Sequence, residues 1–473
     1  MQRHRSLLLY TLLSMLVFTG LAQTPPFPLK ESANHRYLVD RNQKPFPILG
    51  RTAWFLISQS EAEYKFFVED CLKYGYNAIE MHVVDHDPRG AHPPYNGAGE
   101  LPFLKRLDGK SWEGKLVYGS AREEAPDMTK PNERFWVFVD GFLNYCRSKG
   151  IIVFMFPVYV GYPGTDQGWM RELEANGPAR AEAFGAWIAS RYKKQDNLVW
   201  MLLGDRSELN TTQHTAEAAL IKGLKTVPGQ LSPHYSAECE SDQCSACHPD
   251  FGKEMTLNGA YSWAHVVRSA HEAYEHVPVM PSFLLEEPYD EEGPEGNKIN
   301  PYATQPVRRY QWWGWLGTIG GYISGNGYVW PFREGVWKQH LATPNTEDMM
   351  HLNEFIRAHK WWTLVPGGSS RMKDLVLSNQ NDLNDTTHVA AAASISGDLL
   401  IAYIPPVNSG SVTVDMSMLK GDIRGRWFDP SSGEYLIVAE SGLTSKQSKV
   451  FALPGKNKRG GQDWVLELTI TRR

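Results

Sequence analysis

The sequence is short of cysteine, with five in 473 residues, and has no surplus of positive charge, with 48 Lys and Arg against 53 Asp and Glu. A formal net charge of -5 supplies no basic field, which argues against nucleic acid and anionic membrane surfaces as partners. Beyond residue 22 no run is apolar enough to span a bilayer, so no integral membrane segment is expected after the N-terminus is removed. No Gly-x-Ser-x-Gly elbow follows a strand-like run, because Gly410-Ser-Val and Gly367-Gly-Ser lie in the wrong context, and serine-hydrolase chemistry lacks support. The segment His271-Glu-Ala-Tyr-Glu-His276 spaces its histidines one residue too far for a zinc-protease helix, which excludes that chemistry too. There are no internal repeats.

What is present begins with Arg3, His4 and Arg5, an apolar stretch from Leu7 to Phe18, and the small residues Gly20 and Ala22 around Leu21. That order of charge, apolar run and small residues is a secretory signal peptide, residues 1–22, and implies an exported chain, periplasmic or secreted. In such a compartment thiols pair, yet five is odd, so at least one stays free. Cys71 and Cys146 fall in helical segments and read as buried thiols. Cys239, Cys244 and Cys247, followed by His248, read either as a disulfide-pinned loop or as a structural metal site.

Between residues 23 and 372 apolar strand-like runs alternate with amphipathic segments, the pattern of β/α units on a parallel sheet. Eight runs count as strands: 46–53, 77–84, 151–158, 198–203, 231–236, 255–261, 277–285 and 320–330. An α/β fold follows, a (β/α)8 TIM barrel. From 373 to 473 short alternating runs separated by Gly, Asn, Ser and Pro predict a C-terminal antiparallel β-sandwich. The loop from Asp85 to Lys130 is far longer than a plain strand-to-helix connection and is expected to shape a cleft.

Two carboxylates stand at the ends of buried runs. Asp205 follows Leu198-Val-Trp-Met-Leu-Leu-Gly204, and Glu287 follows the run ending in Leu285. An acid at the carboxyl end of a barrel strand must be desolvated or face the active-site pocket. A pair of them is the minimum kit for glycoside hydrolysis, one protonating the leaving oxygen and the other attacking the anomeric carbon or activating water. Glu286 and Glu287 are adjacent, so only one can point into the site. Hydroxyl-binding candidates are Asn77, His82 and Asp85, and candidates for stacking on a sugar ring are Trp54, Trp263 and Trp330. Each has a packing role as its alternative.

With these runs identified, the chain resembles the apiosidase-like family, glycoside hydrolase family 140, whose second domain carries the historical label of a collagen-binding domain. The matching stretches are Leu49-Gly-Arg-Thr-Ala-Trp54, Tyr74-Gly-Tyr-Asn-Ala-Ile79, Asn197 to Arg206, Leu285-Glu-Glu-Pro-Tyr289, Arg308-Arg-Tyr-Gln-Trp-Trp, Gly327-Tyr-Val-Trp330 and Arg426-Trp-Phe-Asp-Pro-Ser-Ser-Gly433. The resemblance implies a retaining glycosidase acting on apiose linkages in rhamnogalacturonan II side chains of plant pectin. It makes Asp205 the acid/base and Glu287 the nucleophile. Arg51 stands where the family usually has Asp, and Leu203 where a second Gly is common. The first change points to a sugar with a carboxylate for Arg51 to grip. No cofactor or metal is implied, and the expected partner is an oligosaccharide or polysaccharide, with no protein partner. The rival functions are a barrel glycosidase for another pentose or an acidic sugar, and a non-catalytic carbohydrate- or matrix-binding protein.

Overall fold

The computed structural model describes residues 24–470 except 85–86, 88, 91, 116–121, 166, 294–303, 379–382, 385, 407–409 and 445–447. The signal segment and Asp85 therefore lie outside the described residues. A small antiparallel sheet of three two-residue strands, Lys30–Glu31, Leu38–Val39 and Pro45–Phe46, precedes the barrel.

All eight expected barrel strands form: β1 (Ile48–Thr52), β2 (Ala78–His82), β3 (Ile152–Phe156), β4 (Leu198–Leu203), β5 (His234–Glu238), β6 (Asn258–Tyr261), β7 (Ser282–Glu286) and β8 (Ile319–Ser324). Every residue in them is buried, which is why they read as continuous apolar runs. Seven neighbouring pairs are parallel ladders, in the order β5-β4-β3-β2-β1-β8-β7-β6. Helices follow the strands: α1 (Glu61–Lys73), α2 (Glu133–Ser148), α3 (Met170–Tyr192), α4 (Thr211–Thr226), α5 (Val266–Glu275), α6 (Thr304–Thr318) and α7 (Pro344–Ala358). Local chemistry sets their starts. Ser60 with Glu63 and Asn210 with Gln213 form capping boxes at α1 and α4, and Pro344 opens α7 behind Thr343.

No α-helix follows β5. Instead the cysteine segment folds into two short 3-10 turns, Ser245–Cys247 and Gly252–Glu254, with Cys244 and Cys247 bonded as a disulfide. Cys239, like Cys71 and Cys146, is a buried free thiol, so the three cysteines of the segment do not share one site. The turn lies in the seam between β5 and β6, where no ladder forms among the described residues. There the Ser245 hydroxyl donates to the Ala237 carbonyl at 2.5 Å and accepts the Gly259 N–H at 3.0 Å, while the Ala246 N–H bonds Asn258 at 2.9 Å. A side chain thus replaces the missing ladder bonds and satisfies backbone groups of both edge strands.

The C-terminal strands are β9 (Leu364–Pro366), β10 (Ala390–Ser394), β11 (Leu399–Ile404), β12 (Ser411–Asp415), β13 (Ile423–Phe428), β14 (Tyr435–Leu443), β15 (Ser448–Ala452) and β16 (Trp464–Ile470). They form a six-stranded antiparallel sheet, β9-β10-β11-β16-β13-β14, and a two-stranded one, β12-β15. The larger sheet begins at Leu364, ahead of the expected boundary at 372, because β9 pairs with β10. It packs on α6, where Trp312 stacks on Tyr403 with centroids 5.8 Å apart. Beside them Arg308 grips Asp463 through two hydrogen bonds of 2.8 Å and also pairs with Asp348. All three side chains are buried. No described helix is long and apolar enough to cross a membrane.

Candidate active site

A cavity of about 150 Å³ opens at the carboxyl ends of the barrel strands. Asp205, Glu238, Glu286 and Glu292 supply its acids, and Trp54, Trp263, Trp330, Tyr159 and Tyr289 its aromatic walls. It adjoins a groove of about 410 Å³ that shares Arg89, Glu292 and Trp330 and continues to Tyr328 and Arg333. The long loop after β2 contributes Asp87 and Arg89.

Asp205 reaches the cavity through a left-handed turn that ends β4. Leu203, Gly204 and Asp205 have φ of 62°, 133° and 52° in succession, a strained run for two non-glycine residues. The position where the family favours a second Gly is thus one whose backbone favours Gly, here filled by Leu203. The Asp205 carboxylate accepts the Tyr261 hydroxyl at 2.6 Å and the Tyr159 hydroxyl at 2.8 Å, and Trp263 Nε1 in turn donates to Tyr261 at 2.7 Å. Burial raises its pKa above the usual aspartate range, and the two tyrosine bonds and the Arg89 charge offset part of that rise.

At β7 the expected glutamate is not the one in the cavity. Glu287 is fully buried on the outer side of the barrel, where Gln311 of α6 donates to it. Glu286 lines the cavity instead. The reason is a register shift between Leu284 and Glu286 against β6. Leu284 fills the space beside Gly314 of α6, and Glu287, three residues later, faces the same helix. A bulge has broken the alternation, so Glu286 takes the inward place.

Glu238 ends β5 and lines the same cavity as Glu286. Burial, then the charges of Glu286 and Asp205, push its pKa well above the carboxylate range. Glu292 is raised by burial to about 7 and accepts Trp330 Nε1 at 3.0 Å. Below them Glu80 of β2 is fully buried, and neither of its oxygens has a hydrogen-bond partner among the described residues. Desolvation, then the charges of Glu286, Glu287 and Asp205, push its pKa well above the usual carboxylate range.

Of the remaining expected residues, His82, Trp54, Trp263 and Trp330 line the cavity. His82 lies between Trp54 and Tyr159, with centroids 4.8 and 4.0 Å away. Arg51 and Asn77 do not reach the cavity, and their expected sugar contacts are corrected. Arg51 points outward from β1, paired with Asp70 at 2.8 Å and bonded to the Leu341 carbonyl, so it cannot grip a sugar carboxylate. Asn77, at the opposite end of the barrel, accepts the Leu49 N–H and donates to the Pro47 carbonyl. Glu238, Glu292, Tyr159, Tyr261, Tyr289 and Arg89 escaped the sequence reading. Glu238 carried the same signal as Asp205, an acid ending a strand, but the run counted as the fifth strand stopped at Ser236.

A parallel eight-stranded barrel with buried acids and tryptophans at its carboxyl face defines a glycoside hydrolase. Residues 32–363 match the family model described as "Apiosidase-like, catalytic domain", and residues 373–469 match "Putative collagen-binding domain of a collagenase". The chain belongs to the apiosidase-like family. Among solved structures it is similar to one described as a glycoside hydrolase, 19% identical with a TM-score of 0.73, covering 95% of this chain and 98% of that one. It is also similar to a glycoside hydrolase family 5 structure from Bacteroides vulgatus, 19% identical with a TM-score of 0.72, covering 94% and 93%. These likenesses concern the fold. No curated protein matches the sequence.

Proposed function

We propose that the protein is a retaining glycosidase that cleaves apiose-containing linkages of rhamnogalacturonan II side chains, with Asp205 as acid/base and Glu286, in place of Glu287, as nucleophile. The observation that carries this is the convergence of Asp205 and Glu286 from β4 and β7 on one cavity walled by Trp54, Trp263 and Trp330. Glu286 attacks the anomeric carbon while Asp205 gives its proton to the departing glycosidic oxygen, and the C–O bond to the leaving sugar breaks. Asp205, now ionised, takes a proton from water, whose oxygen displaces Glu286 and restores both groups. The raised pKa of Asp205 suits a group that must hold a proton at working pH. Export to the periplasm or medium is part of the proposal. It draws on the N-terminal segment and is in keeping with the Cys244–Cys247 disulfide.

A second substrate, an acidic sugar, is favoured by one feature of the adjoining groove. Arg333 is exposed at its rim, with its guanidinium 4.7 Å from the centre of the Tyr328 ring. The deciding experiment gives wild type, Asp205→Ala and Glu286→Ala apiose-terminated pectin oligosaccharides and a panel of other pentosides and uronides, with products followed by chromatography. Release of apiose by wild type alone upholds the proposal. Release from uronides but from no apioside replaces the substrate, and binding without release from any of them leaves a carbohydrate-binding protein.

A further inference from the structure

We propose that a groove of about 280 Å³ between the barrel floor and the C-terminal sheet is a second carbohydrate site, in which Arg36 and Arg371 hold the carboxylate of an acidic sugar unit. The ligand class rests on the reading of the substrate as pectin, a polysaccharide rich in uronate. The groove is lined by Ile319, which opens β8, and by Leu364, which opens β9. It therefore sits at the amino end of the barrel, opposite the cavity that holds Asp205 and Glu286.

Arg36 precedes the Leu38–Val39 strand and is only 9% exposed. Its guanidinium lies 4.0 Å from the centre of the Tyr274 ring. The one hydrogen bond its side chain makes among the described residues runs from Nη1 to the Tyr274 carbonyl. Nε and Nη2 have no partner there, yet neither is sealed from solvent, so their N–H groups open on the groove. Arg371 is exposed and meets the same tyrosine, with Nη1 donating to its hydroxyl at 3.3 Å.

Two guanidinium groups thus share one aromatic side chain, and neither forms an ion pair with a described acid. Glu275 is the acid whose charge reaches Arg36, but its carboxylate accepts the Ser370 N–H at 3.1 Å instead of either guanidinium. Burial, together with the Arg371 charge, holds the Arg36 pKa below its usual value. A desolvated cation beside a second cation is costly, and an anion bound between them would recover that cost.

The form of the groove selects the anion. A guanidinium with two open N–H groups grips a carboxylate through a fork of two bonds. Tyr37 and Trp362 line the same groove, both half-buried, and supply the aromatic surface on which a sugar ring packs. A unit held there would tether a long acidic chain to the enzyme without touching the reacting bond.

Titration calorimetry of the full-length protein with digalacturonate tests this. Wild type is expected to bind, and Arg371→Ala and Trp362→Ala each to bind at least about tenfold more weakly, the equivalent of one charge-assisted hydrogen bond. Arg36→Gln should lose more, but it opens a buried site, so the two more exposed positions decide the question if that variant does not fold. Neutral digalactose should not bind. No binding by wild type, or equal binding in Arg371→Ala and Trp362→Ala, would overturn the proposal, as would equal affinity for digalactose. Inorganic sulfate bound as tightly as digalacturonate would leave a simple anion site and overturn the sugar assignment. The titration requires no turnover, so it decides the groove even where no apioside is cleaved, and a negative result leaves the cleavage reading to its own test.

Discussion

Tyr159 donates to Asp205 at 2.8 Å while its ring lies against His82 with centroids 4.0 Å apart. The ring is held independently of the hydroxyl, so Tyr159→Phe should keep its place and remove only the bond. That bond favours the ionised form of Asp205. Its loss should raise the alkaline limb of kcat/KM by about one pH unit, the equivalent of about 1.4 kcal/mol. A limb that stays put or falls would show that Asp205 is not the acid.

Gly204 controls the same contact from the backbone. A Cβ there would lie 2.2 Å from Cδ2 of Tyr159, at a φ of 133° that side chains rarely adopt. Gly204→Ala should therefore displace Tyr159 and lower kcat at least tenfold, a milder loss than removing Asp205 itself. Steady-state kinetics beside a melting curve separates this from unfolding.

At the seam, Ser245→Ala removes a donor and an acceptor together. Ala237 and Gly259 would lose hydrogen-bond partners inside the protein, at about 1–3 kcal/mol for each group left unsatisfied. We expect a lower melting temperature and reduced activity, because β5 ends in Glu238. Hydrogen exchange should speed up in β5 and β6 first.

Arg308 and Asp463 join barrel to sandwich through a buried two-bond contact. Asp463→Ala leaves the Arg308 charge without its main partner and should cost roughly 3–5 kcal/mol, read by urea unfolding. A change below about 1 kcal/mol would mean that water or Asp348 compensates fully.

Glu217 of α4 is fully buried beneath the β4 turn, and burial raises its pKa to about 7. The neutral form is the one the fold accommodates, so its stabilisation is complete below the unfolded pKa near 4.5 and is lost as pH rises through about 7. Between pH 4.5 and 8, wild type should therefore lose roughly 3 kcal/mol more than Glu217→Gln. Denaturation of the two proteins at both pH values checks this.

The sequence shows its fold plainly because parallel barrel strands are buried on both faces and stand out as apolar runs between amphipathic helices. Asp205 is legible for the same reason. Glu286 is not, because the choice between two adjacent glutamates depends on a bulge opposite Ala260 and Tyr261, and no local pattern of residues reports register against a neighbouring strand. Arg51 misleads for a related reason: its neighbours do not reveal which side of β1 faces inward. Glu238 closes a strand, His234–Glu238, whose polar sequence has no apolar run to mark its end.

The most direct measurement compares Glu286→Gln with Glu287→Gln on the apioside that wild type cleaves. Glu286→Gln should lose at least about four orders of magnitude in kcat, and Glu287→Gln, which keeps its contact with Gln311, should stay within a few-fold of wild type. Loss of turnover in Glu287→Gln with activity retained in Glu286→Gln would contradict the assignment.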